Sequence, residues 1–278
     1  MATLSKKIKE RAIDASCLDE RILKNVKHQK IDLVQWIFDR VNVPSGGVVL
    51  ELCSGTGNQT IELLKQVGEN GKVFALDISE KALKKLKDKT PVNLIDRLIT
   101  IPASIDSLQH VLKKVSPEIR YFDLIFCAYG LYYSERPEDI LREMLHWIAP
   151  DGSIIIVGPF GPNNAYLFNF LEISGVKIPD YVRYTSQDFM EKITIPFATR
   201  HFSTNNRYTM VNPVIWKKQE DVFQYWQNST FFDEKKKEKV KKQFDGFFKR
   251  NDEFVNEKWV MMIEMSDKIK DAADVSEN

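Results

Sequence analysis

Cysteine is scarce in this 278-residue chain: Cys17, Cys53 and Cys127 are widely separated and lack metal-ligand spacing. That pattern supports neither a disulfide framework nor a zinc site, so the expectation is reduced thiols, a cytoplasmic protein and no metal. Charge of one sign is missing as well. Forty Lys and Arg against 39 Asp and Glu leave +1, too little for a global field that would draw in nucleic acid or an anionic membrane. No apolar run approaches the length of a membrane span, the first residues have no signal-peptide core, and no internal repeat is visible. What is present, 43% hydrophobic residues over this length, is enough for one large α/β core with added helices.

From about Ser5 to Val43 apolar residues recur at helical spacing, and Pro44-Ser45-Gly46-Gly47 ends that stretch. Short apolar runs then alternate with amphipathic helices to about residue 200. The strands centre on Val48–Leu52, Val73–Leu76, Leu98–Ile101, Phe122–Phe126 and Ser153–Val157. Near-continuous apolar strands joined by helical crossovers predict a doubly wound, mostly parallel sheet. After Val157 the sequence predicts helices at Ala165–Ser174 and Ser186–Ile193, and a strand near Arg200–Val211. A mostly helical stretch over Trp216–Arg250 and a final strand over Phe254–Met265 follow. The expected organisation is an N-terminal helical segment (1–46) that closes over a ligand site, a main domain (47–266) with insertions at about 162–193 and 216–250, and a polar tail (267–278).

The densest chemical signal is Glu51-Leu52-Cys53-Ser54-Gly55-Thr56-Gly57-Asn58, a strand running into a loop of small residues and then a helix. Gly55 and Gly57 permit a tight turn and close approach of a ligand, and the helix beginning near Asn58 offers free amides and a positive dipole end. Asp77 closes the second strand, 22 residues past Gly55, where a carboxylate accepts ribose hydroxyls; the plain structural alternative is a cap for the helix starting at Ser79. A dehydrogenase fingerprint would require glycine or alanine at Thr60. An acid two residues ahead of alternating small residues has another meaning. Glu51 before Cys53, Gly55 and Gly57, with Leu76-Asp77-Ile78-Ser79, Ile101–Asp106, Phe122–Tyr129 and Leu141–Gly152 after it, resembles the class I S-adenosylmethionine-dependent methyltransferases. Within them the likeness is to small-molecule enzymes such as those of quinone biosynthesis.

That resemblance implies a Rossmann-like α/β fold of seven strands, the last antiparallel, with helical insertions after strands five and six. It also implies S-adenosylmethionine as cofactor. Glu51 would orient the methionine ammonium, Cys53, Gly55 and Gly57 would line the methionine and ribose, and Asp77 would hold the ribose hydroxyls. Ile78 would pack on adenine, Ser104 and Ile105 would complete the purine pocket, and Cys127, Ala128 and Tyr129 would flank the methionine end. Three positions depart from the family pattern: Cys53 for glycine, Ala103 for a polar adenine contact (leaving Asp106 or a carbonyl), and Asp151 in the turn before strand five.

Methyl transfer is an in-line displacement that alignment can drive, so a catalytic base is optional. Tyr129 and Tyr133 (with Tyr132), following strand four, and His28 are the candidates to act on the acceptor. The absence of an Asn/Asp-Pro-Pro-Tyr motif and the near-zero charge favour a small metabolite over nucleic acid. The Lys81–Lys89 and Lys235–Lys242 runs are read as solvated helix faces. Aromatics of the two insertions would shape the acceptor pocket. Two other readings stay open: a nicotinamide-dependent oxidoreductase, and a protein that binds S-adenosylmethionine without catalysis.

Overall fold

The computed structural model describes residues 15–115 and 118–269; the first residues of the expected N-terminal helix, the Cys17 side chain and most of the polar tail lie outside that description. Seven strands pair in the order β3-β2-β1-β4-β5-β7-β6, parallel except for the last strand of the sequence. They are β1 (Val48–Leu52), β2 (Lys72–Asp77), β3 (Leu98–Pro102), β4 (Phe122–Ala128), β5 (Ile148–Pro159), β6 (Phe202–Trp216) and β7 (Phe254–Lys268). Continuous apolar strands suit this placement, since β1, β4 and the centre of β5 are almost wholly inaccessible to solvent. The order reverses between β1 and β4, and doubly wound sheets hold ligands at that reversal. Register brings Leu52 level with Leu76 on one side and Cys127 on the other, so the loops after β1, β2 and β4 leave the sheet edge together.

The helices are α1 (Ala15–His28), α2 (Leu33–Phe38), α3 (Asn58–Gln66), α4 (Glu80–Lys89), α5 (Leu108–Val115) and α6 (Pro137–Trp147). Further along come α7 (Ala165–Ile173), α8 (Asp180–Arg183), α9 (Ile195–His201), α10 (Gln219–Gln227) and α11 (Lys237–Phe248). Among the described residues no helix is long and apolar enough to cross a membrane.

Three boundaries differ from expectation. Pro150-Asp151-Gly152, expected as a turn ahead of strand five, lies within β5 as an irregular stretch: Phe122 pairs with Ile148 while Leu124 pairs with Ser153. A Cβ on Gly152 would come 2.9 Å from Ile148 Cδ1 and 3.0 Å from the Asp123 carbonyl oxygen, so a larger residue has no room there. The helix expected over 186–193 begins earlier, with α8 at Asp180, runs through π-helical turns at Tyr184–Asp188 and Met190–Thr194, and continues as α9 to His201. Pro196, near the start of α9, follows the π-helical turns directly, where the helical hydrogen-bond pattern changes. Trp216, expected to open a helical stretch, ends β6, where Met210, Asn212, Val214 and Trp216 are buried in strict alternation.

The chain forms two compact units. One comprises Met1–Trp36, Pro159–Phe189 and Thr209–Met261. Its core is strongly aromatic, with Phe168, Trp216, Trp226, Phe244 and Phe254 all buried. Within it the segment after α1 is stitched to β6, because Asn212 accepts from the Ile31 amide (3.0 Å) and donates to the Ile31 carbonyl (2.7 Å). The other unit, Ile37–Gly158, Met190–Tyr208 and Met262–Asn278, contains the strand ends from which the glycine loop and Asp77 emerge.

Candidate active site

Beyond Leu52 the chain turns sharply. Cys53 takes a left-handed backbone (φ 58), as do Gly55 (φ 55) and Gly57 (φ 88). Hydrogen bonds bind this loop to the neighbouring strand. Ser54 N–H donates to the Leu76 carbonyl (3.0 Å), and Gly55 N–H donates to Asp77 Oδ2 (2.7 Å). The two glycines are not equivalent. A Cβ on Gly57 would stand 2.3 Å from Leu86 Cδ1 on α4, so this glycine is required for helix packing rather than to clear space for a ligand. Gly57 also precedes α3, whose first amides face the loop.

Asp77 is held at both oxygens: Oδ2 by Gly55 and Oδ1 by the amide of Ser79 (2.8 Å). The cap of α4 is Ser79 itself, whose hydroxyl accepts from Ala82 N–H (3.3 Å). Burial pushes the Asp77 carboxyl up, and the two amide hydrogen bonds oppose that push. The next residue, Ile78, is 51% exposed, an uncommon position for a large apolar side chain beside a half-buried carboxylate.

Glu51 points into the protein interior. It is 2% exposed, and its Oε2 has no hydrogen-bond partner. Burial raises its carboxyl to about 8; the Thr60 hydroxyl opposes this and the Asp77 charge adds to it. The hydroxyl of buried Ser54 also has no partner. Buried polar atoms left in this way are few in folded proteins and call for an explanation. Two carboxylates close enough to repel, one with an unused oxygen, make a site suited to a cationic ligand with hydroxyls.

Behind the loop lies a pair of thiols. Cys53 and Cys127 are free and hydrogen-bonded to each other, and with burial this contact pushes the Cys53 thiol well up, which makes it inert. Gly130 packs directly against them, since a Cβ there would come 2.2 Å from Cys53 Cβ. Ala128, at the end of β4, is half-buried. Tyr129 has φ 58 and donates its amide to the Val157 carbonyl (2.8 Å). A bulky residue in that region is strained, and strained residues cluster at functional sites. The rings of Tyr132 and Tyr133 lie 4.7 Å apart, both half-buried.

After β3, Ser104 caps its own turn by accepting from Asp106 N–H (3.2 Å), and Ile105 is buried. Asp106 is committed elsewhere. Its carboxylate accepts from Ser134 Oγ (2.5 Å) and the Glu135 amide (3.2 Å), tying the loop after β3 to the loop after β4.

The structure therefore brings Glu51, Cys53, Gly55, Asp77 and Cys127 together at one sheet edge, with Ile78, Ser104, Ile105, Ala128 and Tyr129 on the adjoining loops. His28 has a different setting. It is the last residue of α1, ahead of α2, and it faces Asp221 (3.5 Å) and Trp216 (6.4 Å between rings) within the first unit. Burial lowers its pKa, and Asp221 opposes that. His201 is the last residue of α9, immediately ahead of β6. Of the insertion aromatics, Phe168, Phe170, Trp216, Phe223, Tyr225 and Trp226 are core residues, so packing accounts for their abundance; Tyr166 alone of the seven is exposed. Sequence reasoning gave no role to Thr60 beside Glu51, or to Gly130 behind the thiols. An outward-looking signal for Thr60 did exist, since a β-branched residue in the first turn of α3 rejects the dinucleotide fingerprint.

The sequence profile of a methyltransferase domain matches residues 44–238. Among curated proteins, the ubiquinone/menaquinone biosynthesis C-methyltransferase UbiE of Azotobacter vinelandii is 31% identical over 156 residues, 52% of this chain and 59% of that protein. The demethylmenaquinone methyltransferase of Lactobacillus johnsonii is 29% identical over 158 residues, 52% of this chain and 61% of that one. The chain thus spans about three fifths of the length of these two relatives. Among solved structures, the YcgJ protein of Bacillus subtilis superposes with a TM-score of 0.58 at 10% identity, covering 85% of this chain and 98% of the other, a likeness of fold alone.

Proposed function

The chain belongs to the methyltransferase domain family, and from that premise we propose that it transfers the methyl group of S-adenosylmethionine to a small organic acceptor. The observation that carries this reading is the buried Glu51 carboxyl with its unused Oε2, set beside Asp77 across the glycine loop. S-Adenosylmethionine fits that arrangement. Its ammonium supplies the missing partner of Glu51, its ribose hydroxyls meet the Asp77 oxygens already oriented by Gly55 and Ser79, and its adenine covers exposed Ile78. Ser104 and Ile105 border the purine. With Asp106 engaged by Ser134 and Glu135, the adenine amino group is left to a backbone carbonyl.

The cofactor brings an electrophilic methyl on a sulfonium; what the protein supplies is alignment. Cys53, Cys127 and Gly130 pack the wall behind the methionine chain, and fixing Tyr129 in its left-handed backbone fixes the mouth next to it. Tyr133 and Tyr132 offer hydroxyls to orient an acceptor. No general base is assigned, because the described partners of His28 and His146 lie outside the glycine loop. The named activities of the relatives favour a quinone-like or other aromatic acceptor. Free thiols suit a reducing compartment, in keeping with the cytoplasm.

Incubation with methyl-labelled S-adenosylmethionine and fractionated cell extract tests the proposal. Label is expected in a small-molecule fraction, with the Asp77→Ala protein needing a higher S-adenosylmethionine concentration for the same labelling. Label confined to RNA or protein would remove the small-acceptor reading. Tight NAD binding with silence toward S-adenosylmethionine would overturn the whole assignment.

A further inference from the structure

The first unit contains polar atoms that its own fold leaves unused. Trp216 closes β6 fully buried, and its indole N–H has no partner. Asn256 on β7 is also fully buried. It donates Nδ2 to Asn164 Oδ1 (2.9 Å), and its own Oδ1 is left unpaired. Two residues further on, and so on the same face of the strand, the half-buried Lys258 donates to Asn164 Oδ1 (2.6 Å) and Tyr225 Oη (2.6 Å). Among the described residues no carboxylate is within ion-pair distance of Lys258. Its ammonium lies 4.5 Å from the centre of the Tyr225 ring, and that ring is 5.2 Å from Trp216.

Holding the turn before α7 explains part of this cluster. Asn164, in a left-handed backbone (φ 61), needs its side chain anchored to β7. That role uses Asn164 Oδ1, with Asn164 Nδ2 donating to Ser186 Oγ (3.4 Å). It leaves a hydrogen-bonded ammonium with no counter-charge among the described residues, a buried indole donor without a partner and a buried amide oxygen without one, and such groups are costly to bury. Their chemistry specifies the missing piece: an anionic oxygen for the two donors, and a hydroxyl or N–H for Asn256.

We propose that Lys258, Trp216, Asn256 and Tyr225 form a binding site for a small hydroxy acid, its carboxylate on the Lys258 ammonium and Trp216 N–H and its hydroxyl on Asn256 Oδ1. The site is independent of methyl transfer and is assayed without S-adenosylmethionine. Glycolate and 3-hydroxybenzoate serve as probes, and their uncharged amides serve as controls of equal shape. In nitrogen-15 NMR spectra of the full chain, either acid should move the Trp216 indole resonance saturably, identified by its loss in Trp216→Phe. The amides should bind at least about tenfold more weakly. Lys258→Met should erase that preference, and Asn256→Leu should make the hydroxy acids bind no better than acetate and benzoate. Acid and amide binding alike, or a Trp216 resonance unmoved by every probe in the folded wild-type protein, would overturn the proposal and leave ordered water as the partner of these atoms.

Discussion

At Glu51 a single residue couples folding, protonation and ligand charge. An exposed glutamate ionises near 4.5, whereas in the folded chain burial holds the carboxyl to about 8. Between those values the folded state retains a proton that the unfolded state has released, so stability falls as pH rises through the window and is level outside it. Glu51→Gln has no such proton to lose. Urea denaturation at pH 5 and pH 8 should show wild-type stability dropping relative to the variant, and equal slopes for both would show that Glu51 is ionised throughout. The same carboxyl must ionise to pair with a methionine ammonium. S-Adenosylmethionine binding at pH 7 should therefore release protons, seen as a dependence of the calorimetric heat on the buffer's ionisation enthalpy and lost in Glu51→Gln. Asp77 acts through geometry. Asp77→Ala removes the acceptor of Gly55 together with the proposed acceptor of the ribose, and cofactor affinity should drop by more than about tenfold, the loss of one or two charge-assisted hydrogen bonds. Asp77→Asn keeps one carbonyl oxygen and should lose less. Unchanged affinity with a lowered melting temperature would reduce Asp77 to an anchor of the loop.

Between elements, the contact that governs the loop is α3 against α4. Gly57 combines a left-handed φ of 88 with a Cα that faces Leu86 Cδ1, leaving no room for a methyl group. Gly57→Ala should cost roughly 2 kcal/mol or more, from backbone strain and overpacking together. Adding Leu86→Ala should recover the packing part alone. A thermodynamic cycle over the two single variants and the double variant measures the coupling, and strict additivity would show that the two helices do not meet at this point. The β1, β2 and β4 ends were legible from their apolar runs because buried parallel strands need no other signal. The irregular stretch in β5 was not. Pro150-Asp151-Gly152 has the composition of a turn, and only pairing with Phe122 and Leu124 on β4 shows that the strand runs through it.

For the whole molecule, a ligand that binds only the folded chain stabilises it in proportion to the logarithm of its concentration, about 2.7 kcal/mol at a hundredfold excess over Kd. S-Adenosylmethionine should accordingly raise the melting temperature by several degrees and NAD should not; the reverse would contradict the assignment of the glycine loop. The sequence by itself determined the class of sheet, the place of the loop at the β1 end, and the acid at the β2 end. These depend on local patterns: apolar runs, small residues where a turn must be tight, and an acid at fixed spacing. Tertiary structure decided which of those residues serve packing and which remain available. Gly57 became a helix contact, Asp106 was taken by Ser134, and His28 was placed against Asp221 and Trp216. It also decided that most insertion aromatics form a core, and that Trp216 and Lys258 both lie against the Tyr225 ring. Whether a polar atom has a partner depends on residues brought from far along the chain, and no local pattern of sequence records that.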